Sequence, residues 1–288
     1  MAMRPLVIGL AGCLAASSLA RATEAPRVRK EELDRCDALV GKKRFVEAER
    51  CVATLERDAS TPERRAILYT RLTALILREE LMRAQTLVDE HLAKAKGEPD
   101  GWECWLHNAA NWVAWGRGDL PAAIRYTEGM KESLGRHRVS REEARAVILH
   151  YLWDRAYLLL DQALASAGDR APLLATAEQA RQAYHQAADP KEDADGLAVL
   201  DAYFALRLGR GAEALRLVEQ VERGPNGDLQ DQYIVALALE AGGDRKAADA
   251  VRKMIAGSKN IYPMKALIVR QLERDRRHSP IGRAAPTK

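Results

Sequence analysis

The chain of 288 residues is long enough for one or two globular domains, or for an array of repeats whose core grows along one axis. It carries 45 basic and 41 acidic side chains; residues 1–22 hold Arg4, Arg21 and no acid, so beyond them 43 bases face 41 acids. That balance excludes a nucleic-acid binder working through a concentrated basic face, and abundant Leu, Ala, Glu and Arg with only two Phe excludes a mainly β fold.

Residues 1–22 have the layout of a signal peptide. Arg4 precedes an uncharged stretch from Leu6 to Ala20, and Ala20-Arg21-Ala22 supplies a small-x-small cleavage pattern before Thr23. The apolar run is too short to span a bilayer comfortably. Cleavage there delivers a soluble periplasmic chain, which is the form expected. Within the same segment Leu10-Ala11-Gly12-Cys13 has the form of a lipobox, in which Cys13 would become a lipidated first residue facing the periplasm from the outer membrane. The run ahead of it, Leu6 to Gly12, sits at the short limit of signal h-regions.

After a polar leader, residues 23–30, the pattern is helical throughout. Glu31 to Val40 and Phe45 to Arg57 pair across Gly41-Lys42-Lys43-Arg44, and Pro62 to Arg78 pairs with Glu80 to Lys96. Trp102 opens a third pair, with its turn at Gly116-Arg117-Gly118-Asp119. Asp119 is placed to cap the next helix and Pro121 fits its first turn, where a missing N–H costs nothing. Ser140 with Glu143 forms a capping box for a long helix reaching about Ala167, and Pro172 opens its partner, which runs to about Ala188. Asp195 to Leu208 pairs with Ala212 to Glu222 across Gly209-Arg210-Gly211. Asp228 to Ala241 pairs with Lys246 to Ile255 across Gly242-Gly243-Asp244. A last helix, 263–278, is expected to cap the array, and 279–288 reads as a disordered Pro- and Arg-bearing tail.

An Ala early in the second helix recurs at Ala48, Ala84, Ala123, Ala214 and Ala248, at intervals of 36, 39, 91 and 34 residues; the 91 contains the irregular fourth pair. On GRGDLPAAIRY, LGRGAEALRLV and AGGDRKAADAV the chain resembles the tetratricopeptide repeat family, whose helix–turn–helix unit is about 34 residues. The family's Trp-x₂-Leu-Gly-x₂-Tyr signature is absent from every unit. The resemblance implies an all-α fold: an α-solenoid of antiparallel helix hairpins, about six of them over 31–262, with the C-terminal helix as a cap. A different α-solenoid and a compact helical bundle are the competing folds.

Cys36 and Cys51 lie level across the first turn. In an oxidising compartment they are expected to form a disulfide, the alternative being two small buried residues at a close helix contact. Cys104 then remains single. It shares a helix face with His107, but two ligands make no metal site, and a buried thiol is expected. No H-E-x-x-H, G-x-S-x-G, phosphate loop or EF-hand spacing occurs, so no catalytic, cofactor or metal residue is assigned.

Four of the five Trp fall in the third pair, at 102, 105, 112 and 115. Trp105, Ala109, Trp112 and Gly116 share one helical stripe, and Trp115 borders it. First helices line the concave groove in the family, and the resemblance implies that Trp105, Asn108, Trp112 and Trp115 face it, with Tyr69, Tyr203 and Tyr233 of neighbouring hairpins. Such a groove suits an extended peptide or an apolar helix. The competing reading is that these Trp are ordinary core residues between hairpins. The function expected is therefore an exported, non-enzymatic scaffold that binds a protein or peptide. One alternative is a lipoprotein subunit of an envelope assembly, such as a secretion or pilus machine, held through Cys13. The other is a hydrolase, which convergence of His107, His150 or Asp154 in a cleft would favour.

Overall fold

The computed structural model describes residues 27–57, 59–95, 102–136, 140–221, 228–258 and 263–278. The signal segment with Cys13, the start of the leader and the tail after 278 lie outside the described residues. Thirteen helices and no strand occur among those described: α1 (Arg27–Gly41), α2 (Phe45–Glu56), α3 (Thr61–Leu77), α4 (Leu81–Ala95), α5 (Trp102–Arg117), α6 (Leu120–Leu134), α7 (Arg141–Ala165), α8 (Ala171–Ala187), α9 (Ala194–Arg207), α10 (Gly211–Val218), α11 (Leu229–Ala241), α12 (Arg245–Gly257) and α13 (Pro263–His278). None is long and apolar enough to cross a membrane. The protein is all-α.

Consecutive helices pair as α1–α2 through α11–α12, and most pairs also pack on their neighbours through the adjoining helices. Five turns share one geometry. A residue with positive φ (Lys43 at 58°, Glu79 at 62°, Gly118 at 78°, Gly209 at 78°, Gly243 at 93°) ends the first helix of each pair. The next residue donates its N–H five positions back: Arg44 to Leu39, Glu80 to Leu75, Asp119 to Ala114, Arg210 to Ala205 and Asp244 to Leu239, at 2.8–3.0 Å. The positive-φ residue itself donates three positions back, so each turn is a Schellman motif that satisfies the last carbonyls of its helix. Gly118 shows why glycine suits the place, since a side chain there would clash with its own carbonyl.

Each of these turns stands five residues before one of the recurrent alanines. Ala48, Ala84, Ala123, Ala214 and Ala248 are all at most 1% exposed. The 36, 39, 91 and 34 intervals thus mark one structural unit, in which a methyl group lets the second helix lie close to its partner. The fourth pair departs from the pattern. Its first helix, α7, has 25 residues and leaves through Ser166 in extended conformation, without the positive-φ turn. The capping box at its start forms as expected, Ser140 N–H to Glu143 at 2.8 Å and Glu143 N–H to the Ser140 hydroxyl at 3.1 Å. Asp119 likewise accepts from the Ala122 N–H.

The first hairpin shares a small core with the start of α3, made of Cys36, Val52, Ala59 and Ile67 and separate from the main one. The Cys36–Cys51 disulfide staples it, with Cα atoms 5.6 Å apart. The chain-entropy estimate for a loop of this length is about 3 kcal/mol. The Cys36→Ser/Cys51→Ser double variant is expected to lose about that much stability in urea titration; a loss under about 1 kcal/mol would mean the staple is idle.

The placement of α13 differs from that of a simple end cap. It packs against α3, α5 and α11 as well as α12, and so reaches from the last hairpin back to the second and third. Met264, Leu267 and Ile268, at i, i+3 and i+4, are its buried stripe. Leu267 lies so close over Gly116 that a Cβ there would overlap it. The physical reason is the missing side chain at Gly116, which opens a notch on α5 that a leucine fills.

Candidate functional site

The first helices α3, α5, α7 and α9 carry two groups of contacting rings. On α3 and α5, Tyr69 meets Trp105 edge-on at 4.4 Å and accepts a hydrogen bond from its indole N–H at 2.6 Å. Trp102 stacks on Trp105 at 4.6 Å, with the Arg65 guanidinium over its face. Further along, Trp115 and Trp153 both set their edges against Tyr157, which in turn contacts Tyr203 of α9 at 5.9 Å. Tyr233 of α11 lies in the neighbourhood of Tyr203.

These side chains are covered. Trp105, Asn108, Trp112, Tyr203 and Tyr233 are buried, while Tyr69 and Trp115 are half-buried. Part of the cover is α13, because Gly116, beneath Leu267, belongs to the Trp105–Ala109–Trp112 stripe. Of the residues expected to line an open groove, Trp105, Trp112, Tyr203 and Tyr233 belong to the main core as the chain stands, and Tyr69 and Trp115 pack against it.

Beside the rings lies a buried polar network. His150 and Asp154 are one helical turn apart on α7, and their side chains meet at 3.3 Å. Across from them, α5 offers two amides at i and i+3. The Asn108 oxygen is 3.0 Å from His150 Nε2, and the Asn111 amide donates to Asp154 at 2.8 Å. Both neighbours of Nε2 are oxygens placed to accept from it. Asp154 is fully buried, and its other oxygen, Oδ1, has no hydrogen-bond partner. Burial pushes its carboxyl up to about 6, with Asp228 adding to the rise while His150 and the Asn111 hydrogen bond oppose it.

Two turns on, Asp161 accepts from the Tyr203 hydroxyl at 2.8 Å and pairs with Arg207 at 2.8 Å. Burial raises its carboxyl too, against the pull of Arg207 and Tyr203. At the start of α11, Asp228 caps the helix by accepting from the Gln230 N–H at 2.7 Å. Asp228 and Asp231 are both held above the usual carboxylate range, first by burial; Asp231 is also raised by Asp228 and Asp195. The interior of hairpins three to six thus gathers carboxyls whose charge is costly.

The structure brings His150 and Asp154 together and leaves His107 out. The His107 ring fills a notch at Gly129 on α6 and lies 6.4 Å from Tyr126. Cys104 is buried, and burial pushes its thiol up to about 11, which leaves it a poor nucleophile. No cluster of three or more metal-ligating side chains occurs among the described residues. Sequence reading missed the partnership of Asn108 and Asn111 with His150 and Asp154. The available signal was two amides at i, i+3 and a His/Asp pair at i, i+4, each inside an otherwise apolar run. Compared with protein-family models, with curated proteins and with solved structures, the chain matches none of them.

Proposed function

We propose that the protein is an exported scaffold built of tetratricopeptide-like hairpins, which takes a helical or extended segment of a partner protein on the face formed by its first helices. The observation that carries this reading is the seat of α13. This face already holds an amphipathic helix, with Leu267 on the Trp105–Trp112–Gly116 stripe. The five like turns, each followed by a buried alanine, support the repeat assignment. The leader pattern of residues 1–22 and the Cys36–Cys51 disulfide support an oxidising compartment. A lipid tether at Cys13 would hold the same scaffold at the outer membrane without changing its binding face.

A photo-crosslinking residue tests the reading. Placed at Trp115, at the half-buried edge of the stripe, it is expected to capture a discrete envelope partner. The same residue at Met82, which is 63% exposed on α4, is expected to capture none. Equal capture at both positions would sink the groove.

The His150–Asp154–Asn108 network favours a second reading, a hydrolase. Against it, His150 Nε2 is committed to two acceptors, and Asp154 is sealed in the core. The scaffold accounts for more of the molecule.

A further inference from the structure

We propose that the seat of α13 is the partner's own site, and that the partner is an amphipathic helix that displaces α13 from it. The inference rests on the scaffold reading and specifies its ligand. α13 presents Met264, Leu267 and Ile268 to α3, α5 and α11, so the seat is shaped for apolar residues at i, i+3 and i+4 of a helix.

The native occupant fits with a flaw. Arg270, one turn after Leu267, has two guanidinium nitrogens, Nε and one Nη, sealed from solvent with no acceptor. Arg252 on α12 also has a buried Nε without an acceptor, but both of its Nη groups pair with Glu240 and Asp249, whereas half-buried Arg270 leaves one Nη sealed as well. A buried donor without a partner loses its hydration and gains nothing in exchange, and a charged one loses more. A helix with the same apolar triplet and a leucine or methionine in place of Arg270 avoids that loss.

The flaw matters because of how α13 is attached. The segment 259–262 joins it to α12, so it meets its seat at an effective concentration on the order of millimolar. A tethered helix with a well-matched face would exclude any free competitor. Arg270 lowers the intrinsic affinity of the tethered helix, so a better-matched free helix can compete. α13 then protects an apolar face until the partner arrives, and the partner's specificity lies in what replaces Arg270.

The test uses the full chain and two labelled peptides of residues 263–278, one native and one carrying Arg270→Leu. The chain is prepared as wild type and as Leu267→Asp, which sets a charge over Gly116 and releases α13. The R270L peptide is expected to bind the Leu267→Asp chain about tenfold or more tighter than the native peptide. Both peptides are expected to bind wild type at least about tenfold more weakly than they bind the released chain. In wild type the R270L peptide should speed amide exchange in α13 and leave α7 unchanged. Equal binding of the two peptides, or α13 amides still protected with peptide bound, would overturn the proposal.

Should Leu267→Asp lose its helical circular dichroism, the full chain carrying Arg270→Leu decides. Its α13 amides should exchange more slowly than in wild type, and an unchanged rate overturns the proposal. A partner crosslinked at position 115 while α13 stays protected would overturn this inference and leave the scaffold. Displaceable α13 with equal capture at 115 and 82 would do the reverse.

Discussion

Trp112→Ala is expected to destabilise the protein by about 3–5 kcal/mol, the range for removing a fully buried large aromatic. Trp112 is 2% exposed, lies in the main core and sits one turn before the notch that receives Leu267. Its indole N–H is buried without a hydrogen-bond partner. Trp112→Phe, which deletes that unpaired donor and keeps a ring, should therefore cost no more than about 2 kcal/mol. Urea midpoints with an unchanged m-value would check both. A Trp112→Ala loss under about 1 kcal/mol would place the ring at a surface instead. The contrast also explains why a binding assay belongs at Trp115: a change at 112 would confuse lost contact with lost fold.

The second large effect is electrostatic. The Asp154 carboxyl titrates at about 6 in the folded chain and at about 3.9 when unfolded. Between those values the folded state binds the extra proton, so stability falls as pH rises through the window. By pH 7 the ionised, buried carboxylate costs on the order of 3 kcal/mol. Asp154→Asn is expected to recover much of that at pH 7–8 and to flatten the profile between pH 4 and 6. An amide oxygen can still accept from Asn111 and His150, whereas Asp154→Leu would strand both donors and should destabilise. Asp37, raised to about 6 by burial despite its Thr70 hydrogen bond, titrates in the same window and slopes both profiles alike. The difference between wild type and Asp154→Asn reports Asp154 together with its coupling to Asp228. A parallel pair of profiles would mean that its carboxyl is ionised throughout.

What could be read from the sequence was what repeats or acts locally. The alanine intervals located all five like turns because backbone geometry and a close helix contact act within a few residues. Asp119 and the Ser140–Glu143 box were legible as caps for the same reason. The Cys36–Cys51 bridge followed from two positions equidistant from one turn. The seat of α13 was hidden, because an amphipathic stripe shows that a helix buries a face but not what it buries it against. The network was hidden too: Asn108 reaches His150 across 42 positions, a distance over which polar residues in apolar runs give no pairing rule. The seven residues assigned to the groove were picked from the helix phase that the resemblance implied; part of their cover comes from a segment that the repeat pattern leaves out.

The closure made by α13 changes how the molecule assembles. In an open array each unit touches only its neighbours, so folding can begin anywhere and ends can fray alone. Here Leu267 meets Gly116 from more than half the chain away, and α3 and α11 share a common neighbour. Such contacts must wait for a long loop to close, which slows the final step relative to the local hairpins. During synthesis, the apolar faces of α3 and α5 stay bare until α13 is made. The newly made protein therefore passes through a form whose seat is empty.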